Sequence, residues 1–427
     1  MLVACAETAG ASTYIDPTFF GQHLAFFPSS GQVQMLHPPW TVNSMRLWDA
    51  GVTWCDLEPQ QNQFNWSLLD NWVKNRNYAN ADFVYTFGNP PEWAVNGLAG
   101  GCLPGSIGNL PPSRQSLDGF LQALVQHVVQ NYPSKLKYFE LWNEFDSSTY
   151  WMGSVSQMVT LAHDAASAIH GATQGLKLLT PSVTPYDGDG ANYQSCQPGG
   201  ADDPNGTLEQ LLGQDHASTG DFDIVNVRTY TQSPQGQGLW PEQTLPQWLC
   251  DVHNAMQAGS NGYGSYPLWS SEGSWGANSW FSGYDGTPGA DFVARYDLLL
   301  LSYGVSRAYW YAYGNTAWGT LFDSSTGQLT PAGTATAQLA QTSPTLGWLN
   351  GATLTSPCSE DTSTTLWTCQ ITRPNGYAGL IAWVSTPNGT ASVSTSGYTT
   401  VRTLDGGSSP ITTSTLTVDN HPRLLEN

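Results

Sequence analysis

Two glutamates stand at the ends of short aromatic runs, Leu141-Trp142-Asn143-Glu144 and Trp269-Ser270-Ser271-Glu272-Gly273. A pair of carboxyl groups at the ends of two strands is the equipment for cutting a glycosidic bond. One must be protonated to serve the leaving oxygen, and the other ionised to act as nucleophile or base. The two roles need different pKa values, which only environment can set. A lone Glu in a loop is more often a helix cap. Here the capping role of Glu144 loses ground, because a second Glu ends a second run at the matching place.

The elements that would position this pair follow from the pattern of the chain. Eight apolar runs recur over the first three-quarters: 19–24, 44–48, 82–87, 138–142, 177–181, 223–227, 266–270 and 307–311. Segments of helical period lie between them, near 68–79, 156–172, 207–218, 244–258 and 290–303. The clearest puts Leu117, Phe120, Leu121, Leu124, Val125, Val128 and Val129 on one face, with Ser116 as its expected cap. Strand–helix alternation repeated eight times predicts an α/β fold, a (β/α)8 TIM barrel over residues 1–348. A doubly wound open sheet would alternate similarly. From 349 to 427 Ser and Thr dominate, with short alternating segments between Pro374-Asn375-Gly376, Pro387-Asn388-Gly389 and Asp405-Gly406-Gly407. That texture predicts a C-terminal antiparallel β-sandwich, to which the N-terminal segment could add a strand. In such a barrel the chemistry sits at the carboxyl ends of the strands. Glu144 and Glu272, ending the fourth and seventh, would face each other across the mouth.

Composition narrows the partners. Of 427 residues only 11% are charged, against about a quarter in ordinary domains. The 33 acidic and 13 basic residues give a net charge of −20. A chain so poor in Lys and Arg has no general affinity for nucleic acid or an anionic membrane surface. No apolar run reaches the length of a membrane span. Met1 to Gly10 has neither a basic end nor a long apolar stretch, which fits a leader already removed. The seven cysteines show no C-x-x-C pattern. Cys358 and Cys369 flank the first sandwich hairpin and are expected to pair. Cys102 and Cys196, in long loops on one barrel face, could also pair, and the remaining three leave at least one thiol free. Asn65, Asn205 and Asn388 begin glycosylation triplets. Together these features predict a secreted, soluble glycoprotein.

Trp142-Asn143-Glu144 and Ser271-Glu272-Gly273, with Arg46 on the second strand, Trp93 after the third and Trp310 on the eighth, resemble the clan A retaining glycoside hydrolases. The stretch Arg46-Leu47-Trp48-Asp49-Ala50-Gly51-Val52-Thr53-Trp54, with Leu57-Glu58-Pro59 and Phe64-Asn65-Trp66, is most similar to glycoside hydrolase family 39 and its relatives. The ending Arg423-Leu424-Leu425-Glu426 is similar to the last strand of their accessory sandwich. The resemblance implies a carbohydrate substrate, double displacement and no cofactor. It implies Glu144 as acid/base and Glu272 as nucleophile. Asn143 would hold the 2-hydroxyl of the sugar, Arg46 and Tyr230 would hold Glu272, and Trp310 would floor the subsite. His23, Trp93 and Trp275 are further substrate-contacting candidates, within a wider set of Trp48, Trp54, Trp151, Trp280 and Trp318.

One position departs from the resemblance. Relatives commonly carry His two residues before the Tyr, where this chain has Arg228. Pointing into the pocket, Arg228 would bind an anionic sugar or shift the acid/base. Otherwise it would pair with an acid such as Asp49 or Asp187. Asp187, Asp189, Asp202 and Asp203 lack calcium-loop spacing, so no metal is expected. A non-catalytic carbohydrate-binding protein and a transglycosylase are the alternative functions.

Overall fold

The computed structural model describes residues 12–26, 33–95, 110–172, 175–185, 206–232, 237–258, 262–341 and 347–427. Eight parallel strands form its centre: β1 (Phe20–Gln22), β2 (Ser44–Leu47), β3 (Asp82–Thr86), β4 (Leu136–Glu140), β5 (Lys177–Leu179), β6 (Val225–Arg228), β7 (Leu268–Gly273) and β8 (Val305–Trp310). They pair in the order β5-β4-β3-β2-β1-β8-β7-β6. A parallel bridge from Leu179 to Ile224, beside β6, joins the two ends. The eight strands therefore close a (β/α)8 barrel rather than an open sheet.

The crossover helices are α1 (Ser67–Lys74), α2 (Arg114–Asn131), α3 (Val155–Ala172), α4 (Thr207–Ser218), α5 (Pro241–Gln257) and α6 (Thr287–Ser302), and α7 (Pro331–Ala340) follows the last strand. Helix α2 buries Leu117, Phe120, Leu121, Leu124, Val125 and Val128. Its cap is Ser113 and not Ser116: the Ser113 hydroxyl accepts from the backbone N–H of Ser116, so the helix starts one turn earlier than its apolar stripe. Helix α7 carries no strong stripe and was not expected from period. It is set by the Thr330 hydroxyl accepting from Gly333 N–H, with Pro331 in the first turn.

The amino end of the barrel is plugged by Val84, Leu179, Ile224, Trp269 and Tyr309. Arg307 packs against the rings of both Tyr138 and Trp269, 4.6 and 4.3 Å from their centroids, and pairs with Asp82 at 2.9 Å. Above that plug the interior turns polar, and that is where the site begins.

The second layer pair is antiparallel. Its larger sheet includes Thr353–Leu354, Leu366–Thr372, Ala378–Val384, Arg423–Glu426, Thr400–Arg402 and Ser408–Pro410, with Ser359–Asp361 on Leu366–Thr372. Thr13–Tyr14 pairs with Thr353–Leu354. The smaller sheet joins Ala391–Ser394 to Thr415–Val418. Ala382, Val384, Val393, Val418 and Leu425 form the core between the two sheets. The sandwich is docked on the barrel by Trp383 Nε1 donating to Glu242 at 2.6 Å and by Cys358 N–H donating to Ser302 at 2.8 Å.

Cys358 and Cys369 form a disulfide. Cys55 and Cys250 are also disulfide-bonded, and no cysteine among the described residues is free. Cys5, Cys102 and Cys196 lie outside the described residues, as do Asp187, Asp189, Asp202, Asp203 and Asn205. Asn65 and Asn388 are exposed. No helix among the described residues is long and apolar enough to cross a membrane.

Candidate active site

The polar layer of the barrel is organised by two arginines and three glutamates. Glu140, at the end of β4, is wholly buried. It accepts from Arg46 Nε at 2.5 Å, Thr86 at 2.7 Å, Asn226 at 2.9 Å and Ser271 at 3.0 Å. A carboxylate this fully hydrogen-bonded stays ionised and fixes its donors. Burial alone would raise its pKa, but Arg46 and Arg228 bring it below the usual range.

Arg46, on β2, uses its other edge upward. Its Nη1 donates to Glu272 at 2.6 Å and its Nη2 to the side-chain oxygen of Asn143 at 2.8 Å. Glu272 also accepts from the Tyr230 hydroxyl at 2.5 Å. It reaches the interior because the β7 ladder shifts register between Ser270 and Glu272. That irregularity turns both Ser271 and Glu272 inward, where strict alternation would admit only one. Burial would raise the Glu272 pKa, yet Arg228 and Arg46 override it and hold the carboxyl down at about 2.

Glu144 faces it from the loop after β4. Its backbone sits in the left-handed region, at φ +40°, a conformation that costs a non-glycine residue on the order of 1–3 kcal/mol. The turn is held by its N–H donating to the Ser182 hydroxyl at 2.9 Å. Burial, and then the negative charge of Glu272, push the Glu144 carboxyl up to about 7. The two carboxyl groups of one cavity are thus pushed in opposite directions, Glu144 toward its protonated form and Glu272 toward its ionised form.

Arg228 ends β6 directly beneath them. Its side chain has no solvent exposure. Nε donates to Glu144 at 3.3 Å, and Nη2 donates to Asn143 and lies 3.4 Å from Glu272. Nη1 donates to Ser271 and lies 3.5 Å from Glu140. Its acid partners are these glutamates and not Asp49, which instead accepts from the Tyr311 hydroxyl at 2.8 Å. Nor does Arg228 present a cation to the pocket. With both arginines bound to its oxygen, Asn143 has its amide orientation fixed and its NH2 left for another acceptor.

Trp48, Asp49, Glu144, Tyr150, Tyr230, Glu272, Tyr311 and Trp318 are the chief lining of a cavity of about 390 Å³. A smaller cavity of about 180 Å³ adjoins it past Asp49 and Tyr311, lined by His23, Ala25, Trp48 and Asn315 among others. His23 is buried, with Nε2 3.1 Å from the Ser271 carbonyl oxygen. Burial, with Arg46 nearby, brings its imidazole down to about 3.

The structure brings Arg46, Asn143, Glu144, Arg228, Tyr230, Glu272 and His23 to one site. It does not bring Trp310, Trp275 or Trp93 there. Trp310 points outward from β8 against Trp275, Tyr296 and Phe292, at 5.1, 5.4 and 6.2 Å between rings. Trp275 is fully buried in the same cluster. Trp93 packs edge-on to Trp54 at 6.2 Å and is absent from the lining. The physical reason is alternation along β8: Tyr309 and Tyr311 face the interior, so Trp310 between them faces the helices. Tyr311 and Tyr150 were missed by the sequence reading. Period-2 counting from Tyr309 would have found Tyr311. Tyr150 had no such signal, because it follows a turn and is held through its carbonyl, which accepts from Trp142 Nε1 at 2.8 Å.

No protein-family model matches the chain, and no curated protein matches it in sequence. Solved structures do. A family 39 glycoside hydrolase from Bacteroides cellulosilyticus WH2 aligns with a TM-score of 0.69 and 14% identity, over 96% of this chain and 81% of that one. A glucosidase from Croceicoccus marinus gives 0.64 and 13%, over 97% and 96%. A family 39 β-xylosidase from Caulobacter crescentus gives 0.62 and 13%, over 97% of each. The chain shares with these glycoside hydrolases the fold of a TIM barrel with an appended β-sandwich, over nearly its whole length.

Proposed function

We propose that the chain is a glycoside hydrolase that works with retention of configuration. The observation that carries this reading is geometric: Glu144 and Glu272 line one cavity, and the same buried guanidinium of Arg228 lies 3.3 Å from one and 3.4 Å from the other. Glu272, ionised, attacks the anomeric carbon while Glu144 gives its proton to the departing oxygen. The product of this step is an ester between Glu272 and the sugar. The bond to the nucleophile removes the Glu272 charge, so the Glu144 pKa falls. Glu144, now a carboxylate, takes a proton from water as that water attacks the anomeric carbon and frees Glu272.

The surrounding residues support each step. Arg46 and Tyr230 hold Glu272 in place through hydrogen bonds of 2.6 and 2.5 Å. The Asn143 amide is oriented to donate to the 2-hydroxyl, a contact that strengthens in the transition state. Trp48, Trp318 and Tyr150 offer ring surface to the sugar. The reaction uses no cofactor. An extracellular setting fits the disulfides at Cys358–Cys369, Cys55 and Cys250.

A panel of 4-nitrophenyl glycosides and neutral polysaccharides tests the activity. At least one class should be turned over, with Glu144→Gln and Glu272→Gln each losing about a thousandfold or more in kcat/KM toward the polysaccharide. Full activity in Glu272→Gln would end this reading.

A further inference from the structure

The surface that meets substrate carries no cation. All 13 Lys and Arg of the chain fall among the described residues. Two of them reach the site, Arg46 and Arg228, and both have side chains with no exposure, their guanidinium groups spent on the three glutamates, Asn143 and Ser271. None of the 13 lines either cavity. The segments 96–109 and 186–205, which follow β3 and β5 in sequence, contain neither Lys nor Arg.

What the cavities present instead is acceptors. Glu144 and Glu272 line the larger one, and Asp49 lines both. Asp49 accepts from Tyr311 through Oδ2, which leaves Oδ1 for a donor from substrate. His23 adds another. The Ser271 carbonyl can only accept, so a neutral imidazole must carry its proton on Nε2. Nδ1 is then an acceptor, buried and without a hydrogen-bond partner, in the residue that lines the smaller cavity.

We infer that this site takes an uncharged glycoside, whose hydroxyls donate to Asp49, and rejects a glycuronide, with Asp49 as the residue that sets the discrimination. The inference rests on the hydrolase reading above. A substrate carboxylate would enter beside Asp49 and Glu272 with no accessible cation to balance it, and specificity of this sort comes from repulsion as much as from attraction.

The test uses matched aryl glycosides that differ only at C6, glucoside against glucuronide and galactoside against galacturonide. The uncharged member of any pair that is turned over should lead by about a hundredfold or more in kcat/KM. Asp49→Asn should shrink that ratio about tenfold, through faster glycuronide turnover. Equal or faster hydrolysis of a glycuronide by the wild type would overturn the inference. An unchanged ratio in Asp49→Asn would overturn the part given to Asp49. Turnover of neither member would count against the hydrolase reading. Calorimetric titration of Glu144→Gln, which keeps the Asp49 and Glu272 carboxylates, with cellobiose and with the disaccharide bearing a glucuronate at its non-reducing end then decides the preference by itself. Binding of the acidic sugar at least as tight as that of the neutral one overturns it.

Discussion

Arg228 Nε donates to Glu144 Oε1 at 3.3 Å from a position sealed off from solvent. The same guanidinium lies 3.4 Å from Glu272, so one permanent charge bears on both carboxyl groups. It lowers Glu144 less than burial and Glu272 raise it, and it is the foremost influence holding Glu272 down.

This placement fixes the expected pH dependence. On the proposed mechanism turnover needs Glu272 ionised and Glu144 protonated, so kcat/KM should be bell-shaped. Its acid limb should reflect the pair near pH 2 and its alkaline limb the pair near pH 7. Arg228→Gln removes a cation from beside both acids. Each carboxyl then ionises less readily, and both limbs move to higher pH, the alkaline one by about one unit. Arg228→Lys keeps the charge and should leave the limbs closer to wild type. A pH–rate profile on an aryl glycoside checks this. Slower turnover of Arg228→Gln with unmoved limbs would reduce Arg228 to a packing role.

The two sides of β8 and the loop beyond it separate cavity lining from packing. Trp310→Ala should cost about 3–5 kcal/mol of stability, as for other large aromatic core residues, while KM of the folded fraction changes little. Trp318→Ala, which strips ring surface from the cavity lining, should raise KM severalfold at nearly unchanged melting temperature. Urea unfolding and initial rates on the same preparations distinguish the two. A large KM effect in Trp310→Ala would contradict its outward placement.

Asp297, buried on α6, makes a separate prediction about stability. Burial pushes its carboxyl up to about 8, against an ordinary value of 3.8. Between those values the folded state binds the proton more tightly than the unfolded chain. Stability therefore falls as pH rises from about 4 to about 8. Asp297→Asn removes that dependence. It should be near neutral at pH 4 and stabilising by roughly 5 kcal/mol at pH 8, read by denaturant unfolding at both pH values. Equal effects at both would mean that Asp297 does not titrate in that window.

Much of this arrangement was legible in the chain. The eight strands stand in the sequence because a barrel strand buried on both faces is a continuous apolar run. Asn226, Arg228 and Tyr230 are spaced two apart, and all three point inward, donating to Glu140, Glu144 and Glu272. That spacing places Arg228 on the inner face, but it does not tell how deep a long side chain ends. Depth depends on Glu140, whose carboxylate draws the guanidinium down. Trp310 was assigned to the pocket on resemblance, against the alternation of its own strand. Glu272 ran the other way: alternation alone would turn it outward, and only the register shift on β7 admits it. Such irregularities depend on the neighbouring strands, so a single sequence does not announce them. Helix α7 was missed because Ala, Gly and Thr carry little periodic signal, and its start depends on one hydroxyl cap.

The account stands most directly on which face of the sugar each glutamate serves. Glu144→Ala and Glu272→Gly, each given an activated aryl glycoside and sodium azide, form glycosyl azides whose anomeric configuration can be read by proton NMR. In Glu144→Ala the nucleophile still forms its ester, and azide then enters on the face the leaving group vacated, so configuration is retained. In Glu272→Gly azide takes the place of the missing carboxylate and attacks once, so configuration is inverted. Retention in Glu144→Ala with inversion in Glu272→Gly is the predicted result. The reverse pattern would exchange the two roles, and hydrolysis of the activated glycoside at wild-type rates by either variant without azide would contradict the central claim.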